Sequence, residues 1–179
     1  MTLEIRVARP DEYEALGGIV VAAYRDLGAL HGDEAYASEL RDVATRAGEA
    51  VVLAAVEAPT GAGAGVDAEA RVWAGRLLGC ATYVPGAASP WGEELRPGEA
   101  SIRMLAVDPA SQGLGAGTAL AAACVELARG DGFRAVMLHS LPTMIGAQRI
   151  YTRLGFRNVP KRHWEPVPGI LLRCFVLEL

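Results

Sequence analysis

The run from residue 99 to 130 constrains the fold most, because it joins a strand, a glycine-rich turn and a helix. Its first part is apolar and β-branched and closes at Asp108-Pro109, a pattern typical of a strand followed by a turn. Its last part carries apolar residues at helical spacing, with Gly130 as the predicted helix end. Three glycines lie in the turn: Gly113, Gly115 and Gly117. The run therefore predicts a backbone that bends sharply from strand into helix.

A glycine-rich turn at the start of a helix predicts a phosphate-binding site. The first amides of a helix have no partner within it, and the helix dipole favours negative charge there. A P-loop requires Lys and then Ser or Thr after its last glycine, whereas Gly117 is followed by Thr118 and Ala119. A dinucleotide fingerprint requires glycine at its sixth position, which is Thr118 when counted from Gly113. Both of these nucleotide sites are therefore disfavoured.

A third glycine pattern fits the turn. Residues 112–117 read Gln-Gly-Leu-Gly-Ala-Gly, shortly after the run Met-Leu-Ala-Val-Asp-Pro. Together the two runs resemble the acetyl-CoA-binding motif of the GCN5-related N-acetyltransferase (GNAT) family. A second segment, from Met144 to Phe156, resembles the family's helix pattern Ala-x-x-(Leu/Phe)-Tyr-x-x-x-Gly-Phe, with Gly155 as the predicted helix stop.

The resemblance implies that acetyl-CoA is the cosubstrate. It implies that the central strand offers backbone groups to the pantetheine arm and that the amides of the glycine turn hold the pyrophosphate. The implied acetyl-CoA-binding residues are Leu105, Ala106, Val107, Gln112, Gly113, Leu114, Gly115, Ala116, Gly117, Thr118, Met144, Gln148 and Tyr151. Tyr151 also matches the family tyrosine that lies beside the CoA sulfur and often acts as the general acid.

The chain departs from the family pattern at two positions. Many relatives carry Glu where this chain has Ser101; Glu99 lies two residues earlier and faces the same side of a strand. Glu99 is therefore the candidate general base, acting through water, or else a solvated carboxylate at the strand end. His139, at the end of a predicted strand, is either a second candidate base or a hydrogen-bonded core residue.

The second departure is Met144, where relatives commonly carry Asn. Methionine cannot replace the hydrogen bonds of an amide to the CoA arm, although it can pack against the arm. Gln148, one helical turn further on, is the candidate substitute for that contact.

The order of elements indicates an α/β fold, with a mixed, mostly antiparallel sheet of about seven strands and helices on both faces. A single acetyltransferase domain would cover residues 1–179. The predicted strands besides the central one are Ile5–Ala8, Val51–Val56, Val72–Tyr83, Phe133–His139, a short strand from Phe156, and Ile170–Leu179. Helices are predicted from Pro10 to Leu27 and from Asp33 to Gly48, and a Gly- and Ala-rich hairpin loop at Ala58–Ala70.

Composition argues against several classes of function. A net charge of −4 over 179 residues disfavours a general nucleic-acid binder. No apolar run reaches the ~18 residues that span a bilayer, and the N-terminus lacks the apolar segment of a secretory signal. Cys80, Cys124 and Cys174 lack the spacing of a metal site and are predicted to be buried thiols in a reducing cytosol. We therefore expect a cytoplasmic protein without a membrane, nucleic-acid or metal partner.

Two classes of function stay open. The first is an N-acetyltransferase that moves the acetyl group of acetyl-CoA directly to a primary amine, and Tyr151 and the glycine turn favour it. The second is a non-catalytic acyl-CoA-binding sensor or regulatory module of the same fold, which Ser101 and Met144 favour. The acceptor would be a small-molecule amine, an antibiotic, a peptide N-terminus or a lysine, and acyl groups other than acetyl are not excluded. Since many relatives pair through the sheet, the resemblance also allows a homodimer.

The acceptor pocket is predicted between the first two helices and the loops at 85–97 and 161–168. Four aromatic residues either line it or serve only as packing: Tyr24, Tyr83, Trp91 and Trp164.

Overall fold

The computed structural model describes residues 2–30, 32–58 and 75–179. The predicted hairpin loop at 58–70, apart from its first residue, and the beginning of the predicted strand at 72–83 lie outside the described residues.

A seven-stranded sheet forms the centre of the molecule, in the order β1-β2-β3-β4-β5-β7-β6. Its strands are β1 (Thr2–Val7), β2 (Val51–Ala58), β3 (Arg76–Val84), β4 (Glu99–Val107), β5 (Ala135–Ser140), β6 (Arg157–Asn158) and β7 (Arg173–Glu178). Only β4 and β5 pair in parallel, and the other neighbours are antiparallel. The prediction of a mixed, mostly antiparallel sheet of about seven strands is confirmed.

Helices cover both faces of the sheet, as predicted. They are α1 (Tyr13–Asp26), α2 (Glu34–Arg41), α3 (Val43–Glu49), α4 (Ala116–Gly130) and α5 (Ile145–Arg153). One face packs against α4 and α5 around Leu120, Cys124 and Tyr151. The other packs against α1, α2 and α3 around Leu16 and Leu40. Burial of these two apolar clusters supplies the main driving force for the fold.

The two central strands separate soon after they begin. Pairing between β4 and β5 extends only from Glu99 to Ser101 on one strand and from Ala135 to Met137 on the other. Residues 102–107 of β4 pair with β3 on one side and with no described strand on the other. The two strands are unpaired beyond this point, which leaves an opening between the two halves of the sheet. We call it the β4–β5 opening, between residues 102–107 and 138–140.

A bulge in β4 marks the beginning of the free edge. The β3–β4 register shifts between Cys80 and Thr82, and Met104 has a φ of +50°, which is rare for a residue with a side chain. Opposite the bulge, β3 carries Gly79, where a Cβ would lie 2.3 Å from the carbonyl oxygen of Ala106. Glycine at this position therefore permits the close approach of β3 to the bulged strand.

Two predicted helix boundaries were wrong. The single helix predicted from Asp33 to Gly48 is two helices, because Asp42 leaves the helical region at φ −77°, ψ 74°. Its carboxylate accepts hydrogen bonds from the Thr45 amide at 3.0 Å and the Thr45 hydroxyl at 2.7 Å, which caps α3. Gly130 is the last residue of α4 rather than its stop. The left-handed residue is Gly132 at φ +78°, with an amide that donates to the Arg129 carbonyl.

The remaining elements lie close to their predicted places. The stop of α5 is at Gly155, as predicted, with a φ of +94°. All three cysteines are buried and unbonded. Among the described residues, no helix is long and apolar enough to cross a membrane, and no three metal-ligating side chains cluster.

Candidate active site

The glycine loop, residues 112–118, is open toward solvent. Gly113 and Gly115 have φ values of +83° and +86°, which residues with a Cβ rarely adopt, and a Cβ at either would meet no atom within 4 Å. Gly115 is the N-cap residue that directly precedes α4. The amides of the first helical turn, which follow it, have no acceptor within the helix. In the described chain, the backbone amides of 113–118 form no hydrogen bond outside α4. The loop therefore presents unpaired donors to an empty volume.

A polar network around the buried Ser111 fixes the start of this loop. Asp108 accepts from the Ala110 amide at 3.2 Å and from the Ser111 hydroxyl at 3.0 Å. Ser111, which is fully buried, also accepts from Arg76 of β3 at 2.6 Å. These hydrogen bonds tie the segment that follows β4 to Arg76 of β3. The sheet therefore sets the direction of the loop.

The third glycine of the loop has a different role. A Cβ at Gly117 would lie 3.2 Å from Ile150 of α5 and 3.4 Å from Val107 of β4. Gly117 therefore lets α4, α5 and the end of β4 approach one another closely. This contact places the predicted acid helix beside the glycine loop.

Tyr151 lies on α5 with its ring in the core and its hydroxyl unpaired. The ring packs against Phe156 and Phe175, with centroids 5.9 and 6.0 Å away. The Tyr151 hydroxyl forms no hydrogen bond with the described residues. It is also not a fully buried atom without a partner, because among the described residues only Arg46 has such side-chain atoms. The Tyr151 hydroxyl therefore retains contact with solvent. Burial raises its pKa well above the ordinary value, so the hydroxyl stays protonated at neutral pH.

Glu99 is held in a bidentate ion pair rather than in open solvent. Arg162 donates to its two carboxylate oxygens at 2.6 and 2.8 Å, and the Arg96 amide donates at 2.9 Å. Burial acts to raise the pKa of Glu99, but the hydrogen bonds from Arg162 and Arg96 outweigh it and lower the pKa. Glu99 also lies in the paired part of β4, before the β4–β5 opening begins.

Met144 and Gln148 lie at the start and in the first turns of α5. Met144 precedes the helix and makes no side-chain capping bond. The amide of Gln148 is already engaged, since its nitrogen donates to the Leu141 carbonyl at 2.7 Å and its oxygen accepts from Arg173 at 3.2 Å. In this conformation Gln148 is tied to the loop before α5. It also lines an open groove of about 570 Å³ between α5 and β6, with Arg149 and Asn158.

Aromatic and cationic groups lie together on the α1 side of the sheet. The rings of Tyr24 and Tyr36 are 6.2 Å apart at their centroids, and their hydroxyls share a hydrogen bond. Arg103 of β4 donates to the Trp91 carbonyl at 3.0 Å, and its guanidinium lies 5.5 Å from the Trp91 ring. We call this surface, built by Tyr24, Tyr36, Trp91 and Arg103, the acceptor face.

His139 and Trp164 extend the acceptor face on the β5 side. Their rings are 5.5 Å apart, and Nε2 of His139 lies 3.3 Å from the Arg162 carbonyl oxygen. Burial lowers the pKa of His139, so the imidazole is neutral near pH 7. If Nε2 donates to that carbonyl, Nδ1 has a free lone pair. His139 lies beyond the part of β5 that pairs with β4, at the β4–β5 opening, and pairs with Cys174 of β7 on its other side.

The prediction that Tyr83 could line the acceptor pocket was wrong. Tyr83 is 1% exposed and belongs to the apolar cluster on the α4 side of the sheet. Its hydroxyl donates to Asp131 at 2.7 Å, at the end of α4.

Sequence reasoning missed three residues of this region: Tyr36, Arg103 and Arg162. Tyr36 and Arg103 stand beside recognised patterns but carry no motif of their own. Arg162 pairs with Glu99 across 63 positions of sequence, and no local pattern signals such a pairing.

Comparison with known proteins identifies the fold family. The family model described as "Acetyltransferase (GNAT) family" matches residues 30–156. An uncharacterised N-acetyltransferase of Schizosaccharomyces pombe is 29% identical over 107 residues, which is 60% of this chain and 61% of that protein. The chain thus matches about three fifths of the length of this curated relative.

Solved structures show the same architecture. A GCN5-related N-acetyltransferase from Kribbella flavida is 26% identical, with a TM-score of 0.62 over 99% of this chain and 98% of that one. A GNAT acetyltransferase from Brucella melitensis, solved in complex with acetyl-CoA, is 22% identical, with a TM-score of 0.59 over 99% of this chain and 88% of that one. Because the family model matches more than half of its residues, the chain belongs to the acetyltransferase (GNAT) family.

Proposed function

We propose that the protein is an N-acetyltransferase that moves the acetyl group of acetyl-CoA to a primary amine. The observation that carries the proposal is the close approach of three parts of the molecule at Gly117: the open glycine loop, the end of the free edge of β4 at Val107, and the helix α5 that carries Tyr151. Both left-handed glycines of the loop face open space, which leaves room for a ligand against the backbone.

The residues present fit acetyl-CoA. The amides of residues 113–118 would hold the pyrophosphate at the start of α4, where the helix dipole favours anions. The free backbone groups of Leu105, Ala106 and Val107 would pair with the pantetheine amides, since that edge of β4 has no strand partner in the described chain. The Brucella relative shows that this fold can hold acetyl-CoA. Met144 would pack against the arm without supplying an amide hydrogen bond.

Bound acetyl-CoA would supply a thioester carbonyl carbon to which the amine nitrogen bonds as the carbon–sulfur bond breaks. Tyr151 would give its hydroxyl proton to the departing sulfur and regain one from solvent. A free alkylamine has a pKa near 10, so the nitrogen must lose a proton before it can attack and a second proton as the amide forms. The products are one N-acetylated amine and one free thiol.

Two residues are candidates for accepting the amine proton. The sequence-based candidate is Glu99, but its pairing with Arg162 and its low pKa make it a weak base. We favour His139, because it is neutral near pH 7 and lies at the β4–β5 opening, beyond the part of β5 that pairs with β4. Glu99 would then position Arg162, whose carbonyl oxygen faces His139.

An acyl-CoA sensor of the same fold is the second candidate function. The specific observations that favour it are the absence of a carboxylate at Ser101 and of an amide at Met144, where relatives commonly carry Glu and Asn. The cytoplasmic location, the homodimer and the extent of a single domain over 1–179 stay predictions.

A panel of primary amines, assayed for release of free thiol from acetyl-CoA, tests the proposal. An acetyltransferase releases thiol and forms an acetylated product in equal amounts with at least one amine. A sensor binds acetyl-CoA in calorimetry but releases thiol at the same rate with and without amine. No binding of acetyl-CoA would overturn both functions.

A further inference from the structure

We propose that the acceptor amine carries a carboxylate, which Arg103 and the paired hydroxyls of Tyr24 and Tyr36 receive on the acceptor face. The inference rests on the proposed function and names the substrate class of that site. The predicted acceptor is thus a small aminocarboxylic acid, such as an amino acid.

Arg103 supplies the guanidinium that would contact a ligand on the acceptor face. It lies on β4 where the β4–β5 opening begins, and its side chain is 25% exposed. One terminal nitrogen is engaged with the Trp91 carbonyl at 3.0 Å and lies 3.8 Å from Glu93. Nε and the other terminal nitrogen form no hydrogen bond with the described residues. That free edge is the one with which arginine binds a carboxylate through two parallel hydrogen bonds.

A second guanidinium lies behind the tyrosine pair. Arg46 of α3 is fully buried, and one of its terminal nitrogens donates to the carbonyls of Glu39 and Leu40 at 2.9 and 3.0 Å. Its Nε and other terminal nitrogen are buried without any partner. Burial raises the pKa of both Tyr24 and Tyr36, and the positive charges of Arg46 and Arg103 oppose that rise. The two hydroxyls therefore lie within the field of both cations.

Carboxylates of the protein neutralise this field only in part, because Glu93 forms a long ion pair with Arg103 at 3.8 Å and Glu39 acts on both Arg46 and Tyr36. Glu99 is paired with Arg162, and Glu49 accepts from the Trp91 indole at 2.8 Å. Glu93 is 61% exposed and too far from Arg103 for a hydrogen bond. A buried cation with unpaired donors is costly, and an anionic ligand nearby would reduce that cost.

The charge arrangement discriminates between classes of acceptor. A polyamine or a lysine-rich peptide would bind to carboxylates, and the carboxylates near this surface, Glu39 and Glu93, lie beside the cations Arg46 and Arg103. The acceptor face itself offers guanidinium and hydroxyl donors. A carboxylate held by Arg103 would leave the amine of the same small molecule beside the β4–β5 opening. The aromatic rings of Tyr24, Tyr36 and Trp91 would pack against its apolar part.

The test is a thiol-release assay with the natural L-amino acids, each matched with its amide and its decarboxylated amine. We expect at least one amino acid to exceed both matched compounds in kcat/KM by tenfold or more. Arg103→Gln should reduce kcat/KM for that acid by about tenfold to a hundredfold, the range of a lost charged hydrogen bond, and for its amide by less than about threefold. Arg129→Gln is the control, because Arg129 pairs only with Glu126 on the exposed side of α4.

Calorimetry with the same compounds and the CoA-saturated protein separates the two proposals. Binding of an amino acid that Arg103→Gln removes would support the carboxylate site even without turnover, and the proposed function alone would then fail. Turnover confined to amines that lack a carboxylate would overturn the carboxylate site alone. Equal losses for acid and amide in Arg103→Gln would also overturn it. If Arg103→Gln does not fold, Tyr36→Phe replaces it, with the same preferential loss expected for the acid.

Discussion

Tyr151 is the residue on which the proposed proton transfer to sulfur depends. Tyr151→Phe keeps the ring packing against Phe156 and Phe175 and removes only the unpaired hydroxyl. We expect kcat to fall by about a hundredfold, within the range of general acid catalysis, with unchanged affinity for acetyl-CoA and an unchanged melting temperature. Single-turnover kinetics and calorimetry measure the two quantities.

Tyr83→Phe is the matched control, because the Tyr83 hydroxyl bonds to Asp131 on the α4 side of the sheet. It should cost about 1 kcal/mol of stability through the lost hydrogen bond and leave kcat unchanged. An unaltered kcat in Tyr151→Phe would remove the acid role from this residue.

Glu99 provides a prediction about pH. Its pKa in the folded protein is lower than the ordinary value of 4.5, so the unfolded chain binds the proton more tightly. The ion pair with Arg162 therefore stabilises the fold above about pH 4.5, and this contribution is lost as the pH falls through the folded pKa. Glu99→Gln should lower the free energy of unfolding at pH 7 by about 1–3 kcal/mol. Denaturant titrations should show that the difference in free energy of unfolding between Glu99→Gln and the parent protein becomes smaller below pH 4.5.

The same variant tests the assignment of the base. If Glu99 positions Arg162, Glu99→Gln reduces kcat modestly and His139→Gln reduces it much further. A large loss of kcat in Glu99→Gln, without a change in the free energy of unfolding, would restore Glu99 as the base.

At the scale of elements, the glycine loop and α4 form the unit that binds the anion. Gly115→Ala would place a methyl group in the empty volume above the loop and force a non-glycine residue to φ +86°, at about 1–2 kcal/mol. We expect a loss of acetyl-CoA affinity that calorimetry measures, together with a lower melting temperature.

Gly130→Ala on the same helix is the control for that loss. A Cβ at Gly130 meets no atom within 4 Å and the residue has no positive φ, so the substitution should stabilise α4 by about 0.5 kcal/mol. Its affinity for acetyl-CoA should equal that of the parent protein. Undiminished affinity in a folded Gly115→Ala would show that the phosphates bind elsewhere.

Sequence patterns predicted the elements that are determined by residues close together in the sequence. The left-handed stop at Gly155 and the strand that ends before Asp108 follow from residues a few positions apart. The break at Asp42 was missed, because the helical apolar spacing continues through it and only the capping bonds to Thr45 reveal it. The pairing of Glu99 with Arg162 could not be predicted from sequence patterns either, because it depends on how β4 and the segment before β7 come together in space.

At the scale of the whole molecule, the sheet is two paired halves joined over a few residues. β1 to β4 form one half, β5 to β7 form the other, and parallel pairing joins them only at Glu99–Ser101. A ligand that pairs with the free edge of β4 and with the glycine loop would bridge the halves from the other end of the opening. Binding and stability are therefore coupled in this fold.

Hydrogen exchange measures that coupling by segment. CoA at about a hundred times its dissociation constant adds about 2.7 kcal/mol to the free energy of unfolding, so the melting temperature should rise. Amide exchange should slow at residues 102–107 and 113–118, where donors now lack partners. It should change least in β2, whose residues are paired on both sides by β1 and β3. Protection confined to the groove between α5 and β6, with none at 113–118, would place the ligand on the wrong side of α5 for the proposed reaction.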